Sequence, residues 1–163
     1  MSVLKRFLPL LSARPVPSEP PTVEEARIAL GGRRSAPTEG PISEGNGVTF
    51  SDARGRTVRG VVVCATEADI DVWIDDGRFQ RLPATRLGPT PLSSDDPLAA
   101  VAADARAFSA LHEGERVRFL RRDGSLGEGV LTEKCRYGGL VVHDGRVLAV
   151  SFRRIWPLAD GAG

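Results

Sequence analysis

The sequence contains few of the residues that build disulfide frameworks, metal sites and membrane spans. Its 163 residues include 2 Cys and 2 His. Cys64 and Cys135 form neither a CxxC pair nor a set with metal-ligand spacing. No apolar run approaches the roughly 20 residues of a membrane helix. We therefore expect free thiols, no metal or other cofactor, and a cytoplasmic location.

The chain also carries almost no overall charge. Its 22 Lys and Arg residues nearly balance its 21 Asp and Glu residues, which leaves a formal net charge of +1. No global electrostatic field therefore calls for a nucleic acid or an acidic membrane as partner. Any basic binding surface must be local.

Sequence signals for catalysis are weak as well. Neither a P-loop nor a GxGxxG motif is present. Nucleophilic catalysis would require Cys64 or Cys135 to act with His112 or His143 as base. Both cysteines lie in or near apolar strand segments, where a small hydrophobic residue fits. The sequence therefore favours a protein that is not an enzyme.

Residues 1–43 mix Pro, Ser, Thr, Glu and Arg without apolar periodicity, which is typical of a flexible tail. A short helix is predicted over residues 23–30, because Thr22 and Glu25 have the spacing of a capping box. Near the N-terminus, apolar side chains form a candidate docking motif for a partner protein: Leu4, Phe7, Leu8 and Leu11. An unstructured terminus is the alternative, and we expect no peripheral membrane contact there.

The strongest signal is an internal repeat. The pattern E-G-x-x-V-x-F occurs at residues 44–50 and again 69 residues later, at 113–119. Gly60 and Gly129 keep the same offset, and after a one-residue deletion Asp-Gly-Arg recurs at an offset of 68. The identities fall at turn glycines and alternating apolar positions, which a β-fold constrains. The sequence thus predicts two copies of one β-fold, at residues 44–92 and 113–158.

Each copy is predicted to contain five short strands. Alternation over residues 70–74 indicates a half-buried strand with its aliphatic side chains inward. Gly60 and Gly129 lie within the second strand, where an interior glycine often marks the bend that closes a small barrel. Between the copies, a proline-initiated run of apolar residues at helical spacing predicts a joining helix over residues 95–112.

The order V-x-F, turn, G-V, V-x-V/I, D-G and then R-L or R-I resembles that of Tudor/SH3-like small barrels, a superfamily that includes Tudor and KOW modules. The resemblance covers residues 44–90 and 113–158. It implies a mainly β fold of two tandem five-stranded SH3-like barrels joined by an α-helix. It also implies binding of peptides, modified side chains, nucleic acids or protein domains. Readers of methylated side chains need an aromatic cage, and the loops at 51–54 and 120–123 contain no aromatic residue.

The two copies differ in charge. Residues 44–87 hold six arginines and seven carboxylates, whereas residues 113–158 hold nine basic and six acidic residues, a net charge of +3. Arginine suits bidentate contact with phosphate or carboxylate, and Tyr or Trp can stack on a base. The candidate binding residues are Arg118, Arg121, Arg122, Arg136, Arg154, Tyr137, Trp156 and Trp73. An ordinary solvated surface is the alternative.

These features together predict a non-catalytic binding or adaptor protein that mediates protein–protein interaction. Its two barrels would present a composite groove, while the N-terminal residues recruit or tether a partner. The alternative function is nucleic-acid binding by the basic second barrel. Salt dependence separates the two, because phosphate contacts weaken steeply as salt is added.

Overall fold

In the computed structural model, which describes residues 22–35 and 40–158, two antiparallel β-sheets dominate the regular structure. The first sheet contains β1 (Gly47–Ser51), β2 (Thr57–Ala65), β3 (Ile70–Ile74), β4 (Phe79–Leu82) and β5 (Gly88–Pro89). The second contains β6 (Arg116–Leu120), β7 (Leu126–Lys134), β8 (Gly138–His143), β9 (Arg146–Ser151) and β10 (Ile155–Pro157). Their strand orders, β4-β3-β2-β1-β5 and β9-β8-β7-β6-β10, are the same.

Among the described residues, two α-helices accompany the sheets, α1 (Val23–Ala29) and α2 (Pro97–Ala110). The capping box predicted at the start of α1 is present, with the side chains of Thr22 and Glu25 each accepting from the other's backbone N–H. Helix α2 begins with proline, and the Asp96 side chain caps it by accepting from Leu98 N–H. Single 3₁₀ turns, Ala84–Arg86 and Phe152–Arg154, precede β5 and β10.

The irregularities of the two sheets also repeat. The register of β2 against β3 shifts between Val62 and Cys64, and that of β7 against β8 shifts between Leu131 and Glu133. These bulges are 69 residues apart, the offset found in the sequence. The repetition in sequence therefore corresponds to a repetition in strand order and in local geometry.

Glycine allows two strands in each sheet to approach closely. A Cβ atom on Gly60 would lie 2.6 Å from Trp73 O, and one on Gly129 would lie 2.5 Å from Val142 O. The barrel closure expected from these glycines is not formed, since both sheets are open. β5 and β10 have two and three residues and pair only with β1 and β6. Edge strands this short do not reach the opposite edge of their sheet.

Helix α2 packs in a core shared by both sheets. Its side chains Val101, Ala105 and Phe108 contact Val61 and Val63 of the first sheet in a cluster that continues into the interior of the second sheet. The other face of β2 packs in a smaller core formed by the first sheet alone. This explains why residues 60–65 are all buried.

The segment around α1 packs mainly on the second sheet. Ala26 and Leu30 pack with Cys135 and Leu140. Farther along, the buried Arg34 guanidinium donates to backbone carbonyls of both sheets: Val63 (3.1 Å), Cys135 (3.1 Å) and Arg136 (2.8 Å). Neither helix among residues 22–35 and 40–158 has the length and apolar character needed to cross a membrane.

Candidate binding groove

A groove opens along one edge of the second sheet. Its volume is about 610 Å³, and its walls come from the end of α1, residues 119–122, residues 148–151 and Arg154. It therefore lies between the end of β6 and the edge strand β9. Since β7 and β8 lie between β6 and β9 in the sheet, the sheet must curve to bring the end of β6 opposite β9.

The floor of the groove is apolar. Phe119 and Val150 are buried, Leu148 is half-buried, and Leu30 closes the α1 side. Gly127 on β7 makes room for this arrangement, since a Cβ atom there would lie 2.7 Å from the Phe119 ring. Apolar walls with a few polar groups are typical of binding sites.

Arginines form the polar rim, and hydrogen bonds hold two of them in place. Arg121 Nη2 lies 2.7 Å from His143 Nε2, and His143 Nδ1 lies 2.7 Å from Glu128 O. Because a carbonyl only accepts, Nδ1 carries the proton and Nε2 accepts from Arg121. Arg154 Nη2 donates to Arg121 O at 2.5 Å. His143 Nε2 also lies 3.2 Å from Asp144 Oδ2, a carboxylate outside the groove lining.

The rim carries positive charge that no ion pair of the described residues neutralises. No acidic residue lines the groove, and Arg121, Arg122 and Arg154 form no ion pair within 4.0 Å among the residues described. The adjacent Asp123 accepts from Ser125 Oγ (2.6 Å) and N–H (2.8 Å). These bonds, with a smaller contribution from the positive charge of Arg121, hold the pKa of Asp123 below its usual value.

The first sheet has no equivalent of this rim. Arg86 matches Arg154 in the repeat and likewise donates to a backbone oxygen, that of Ser51, at 2.8 Å. Where the second sheet has an arginine at the end of β6 and a leucine on β9, the matching positions are Asp52 and Gln80. The arginine-rimmed apolar groove thus distinguishes the second copy from the first.

Two of the predicted binding residues, Arg136 and Tyr137, contact the first sheet instead. The carboxylate of Asp71 on β3 is fully buried and accepts from Arg136 Nε (2.5 Å), Arg81 Nε (3.0 Å) and Tyr137 OH (3.2 Å). The Tyr137 ring also stacks on Phe79, with a centroid distance of 3.9 Å. Burial and the Asp71 charge raise the pKa of Tyr137. These side chains join the two sheets.

The remaining predicted residues occupy other places. Trp73 lies in the same contact between the sheets, edge-on to Phe79 and Phe152. Trp156 and Arg118 are cross-strand neighbours on β10 and β6, apart from the groove. The N-terminal docking residues lie outside the part of the chain that the structure describes: Leu4, Phe7, Leu8 and Leu11.

Both cysteines are buried free thiols. Burial, followed by the hydrogen bond to Glu133 at 3.5 Å, raises the pKa of Cys135 to about 12. Burial also raises the pKa of Cys64. Within residues 22–35 and 40–158, neither thiol bonds to a histidine, and no group of three His, Cys, Asp or Glu residues is placed to hold a metal ion.

The apolar half of the groove was not anticipated from the sequence. Leu148 and Val150 alternate inward on β9, and their pattern looks like that of any half-buried strand. The two copies differ in sequence at one position of this floor, since β9 has Leu148 where β4 has Gln80. No sequence pattern indicates that His143 orients an arginine of the rim.

Comparison with known proteins yields no assignment. No family model matches the chain, and no curated protein matches it. The proposed function therefore depends on the geometry and charge of the groove.

Proposed function

We propose that this chain is a non-catalytic interaction protein, an adaptor that binds a segment of another protein in the groove of its second sheet. Each half would be an SH3-like unit. The supporting observation is the element order within each half: a four-stranded meander, a single 3₁₀ turn, and a fifth strand that returns to pair with the first.

One observation carries the proposal: an apolar groove with three arginines at its rim and no acidic residue among the described residues that line it. Buried apolar side chains such as Phe119 offer contact area to a ligand, whereas the guanidiniums offer directed hydrogen bonds. The hydrogen bonds of Arg121 and Arg154 preorganise the rim, which lowers the entropic cost of binding.

A capture experiment with the full-length protein tests this function. The groove variant combines Arg122→Ser with Leu148→Ser, and the matched control is Arg56→Ser, an exposed arginine in the β1–β2 turn. Circular dichroism checks that each variant is folded. A partner that is lost from the groove variant and retained by the control supports the proposal. Identical capture by both variants would contradict it.

The N-terminal residues are tested separately in the same assay. A full-length variant with Phe7 and Leu8 changed to serine leaves the groove unaltered. Loss of a partner from this variant would assign that partner to the predicted docking motif. Unchanged capture would reject the motif as a binding element.

The second candidate function is nucleic-acid binding by the basic second half. The observation that favours it is the juxtaposition of Trp156 with Arg118 on neighbouring strands, next to the exposed Arg116, because aromatic rings stack on bases and arginines contact phosphates. We would measure mobility shifts with mixed DNA and RNA at low salt. A salt-sensitive shift that Trp156→Ala weakens would support this function, and no shift would reject it.

A further inference from the structure

We propose that the groove binds its partner by strand addition: an extended, acidic segment of another protein pairs with the free edge of β9. This inference rests on the proposed function and specifies its binding mode and the chemistry of the partner. It follows from the backbone of β9, from the side chains that flank this backbone, and from the charge of the rim.

The backbone of β9 offers unpaired hydrogen-bonding groups. β9 is the edge strand of its sheet and pairs with β8 along all six of its residues. In an antiparallel pair, alternate residues direct both N–H and C=O toward the neighbouring strand. Phe152 N–H donates to Tyr137 O at 2.9 Å, so the even-numbered residues of β9 face β8. Val147, Ala149 and Ser151 therefore direct their N–H and C=O groups to the free edge.

Within the described residues this edge has little of the usual protection against pairing, since helix α1 packs beside it only near Val147. Proteins protect edge strands with proline, bulges, charged side chains or a covering segment. β9 contains no proline and one charged residue, Arg146 at its start; its pairing with β8 has no register shift, and Ala149 near its centre is exposed. A strand of six residues spans about 20 Å, enough for an incoming peptide to form a ladder.

The matching edge of the first sheet is different. β4 has four residues, and Arg81 stands at the position of Ala149. The Arg81 side chain bonds to Asp71, and the Tyr137 ring covers Phe79. This edge is therefore shorter and is partly covered by the second half of the chain, so it provides an internal control.

Side chains around β9 suit a segment with alternating residues. A strand added at this edge would direct every second side chain toward the apolar floor at Phe119 and Leu148, and the others away from it. Strand addition of this kind takes its affinity from backbone hydrogen bonds and its specificity from pockets for alternate side chains.

Charge complementarity identifies the occupant. The rim arginines Arg121, Arg122 and Arg154 line the groove and form no ion pair within 4.0 Å in the described residues, so a segment rich in Asp and Glu matches them. The N-terminal stretch of this chain does not, because residues 1–21 contain three basic residues and one acidic residue. A segment of another protein with acidic residues between apolar ones fits the observations best.

The test uses the full-length protein and synthetic peptides of about ten residues, long enough to pair with all of β9. One fluorescein-labelled peptide alternates Val with Glu, a second has Lys in place of Glu, and a third is the Glu peptide with alternate backbone amides N-methylated. Fluorescence anisotropy measures affinity. We expect the Glu peptide to bind at least about tenfold more tightly than either of the others, and its affinity to fall with salt.

A backbone variant tests the edge directly. Ala149→Pro removes an N–H that faces the free edge and leaves the bonds to β8 intact, which proline tolerates on an edge strand. We expect it to weaken binding of the Glu peptide about tenfold. Arg86→Ser on the first sheet should leave binding unchanged, whereas Arg154→Ser should weaken it. Hydrogen exchange should slow at Ala149 and Ser151 when the peptide is added.

Several results would contradict strand addition by an acidic segment without contradicting the proposed function. Equal binding of the N-methylated peptide, or no effect of Ala149→Pro, would exclude strand addition. Equal binding of the Lys peptide would exclude an acidic partner. Slow exchange at Ala149 in the full-length protein before peptide is added would mean that the chain covers its own edge. Capture of a partner that depends on the groove, without binding of any peptide, would leave the function standing and reject this mode.

Discussion

At the scale of single residues, one buried charge joins the two sheets. Asp71 is fully buried, and burial of an unpaired carboxylate would be strongly unfavourable. Its bonds to Arg136 and Tyr137 of the second half offset that cost, together with the bond to Arg81. Because the partners come from both halves of the chain, the ion pair stabilises the arrangement of the sheets as well as the fold of the first.

Asp71→Asn should therefore lower the free energy of unfolding by about 3–5 kcal/mol, because it leaves the Arg136 guanidinium, 12% exposed, without a counter-charge. Urea denaturation of the full-length protein measures the loss. The exposed Asp75→Asn is the control and should change stability by less than about 0.5 kcal/mol. Equal stability of the two variants would contradict this assignment.

The hydrogen bond between Arg27 and Glu133 should make the stability of the fold depend on pH. Arg27 Nε donates to Glu133 at 2.6 Å, and this hydrogen bond is the main cause that lowers the pKa of Glu133 below its usual 4.5. Since the folded-state pKa lies below that of the unfolded chain, the ionised carboxylate contributes its full stabilisation above about pH 4.5 and loses it as the pH falls through the lowered pKa.

The stability difference between the native protein and Glu133→Gln should thus be largest at neutral pH and shrink as the pH falls below 4.5 through the lowered pKa. Denaturation curves at several pH values measure it. Glu67→Gln, on an exposed loop, is the matched control and should show no such trend. A difference for Glu133→Gln that stays constant with pH would contradict the role given to the bond with Arg27.

At the scale of elements, the contacts of each strand and helix with its neighbours decide its environment. Helix α1 has seven residues, too few for a helix that is stable alone, and its capping box and the packing of Ala26 and Leu30 stabilise it. β2 is buried on both faces from Gly60 onward, whereas the matching β7 has exposed residues on one face. Equivalent strands of the repeat therefore have different environments.

Strands β2 and β3 approach each other closely at Gly60, so a side chain at this position should destabilise the first sheet. Gly60→Ala should destabilise the fold by about 2 kcal/mol, because the new methyl group would meet Trp73 O, a backbone atom that cannot move without breaking the ladder. Gly88→Ala on β5 is the matched control, since its Cβ atom would lie 3.4 Å from Thr49 Oγ1, an ordinary contact. Thermal unfolding of both variants compares them, and equal melting temperatures would be evidence against this interpretation.

At the scale of the whole molecule, the two halves form one structural unit. Helix α2 packs with β2 of the first sheet and with the interior of the second in one continuous core. Arg34 and Asp71 add polar contacts across the same boundary. A shared core of this kind couples the unfolding of both halves.

Calorimetry of the full-length protein should accordingly show a single transition. Phe108→Ala, which removes a fully buried ring from the shared core, should lower the free energy of unfolding by about 3–5 kcal/mol and keep a single transition. Ser109→Ala, on the same helix and less buried, is the control. Two separate transitions in the native protein would contradict the shared core.

The sequence by itself determined the local features: the repeat, the succession of five short strands along each copy, and the capped start of each helix. These depend on neighbouring residues, since hairpin turns, caps and alternation act over a few positions. It also identified Arg121, Arg122 and Arg154 as binding candidates, the residues that meet at the groove rim. Basic character concentrated in one copy was enough to single them out.

Only the tertiary structure decided the contacts between distant residues. It joined Arg136 and Tyr137 to Asp71, about 65 residues away, and it left the sheets open, so that β9 has a free edge beside the arginines. Pairing and packing between such separated residues depend on how whole faces fit together, and no short pattern in the chain encodes that fit. The groove exists because the second sheet stops short of closing.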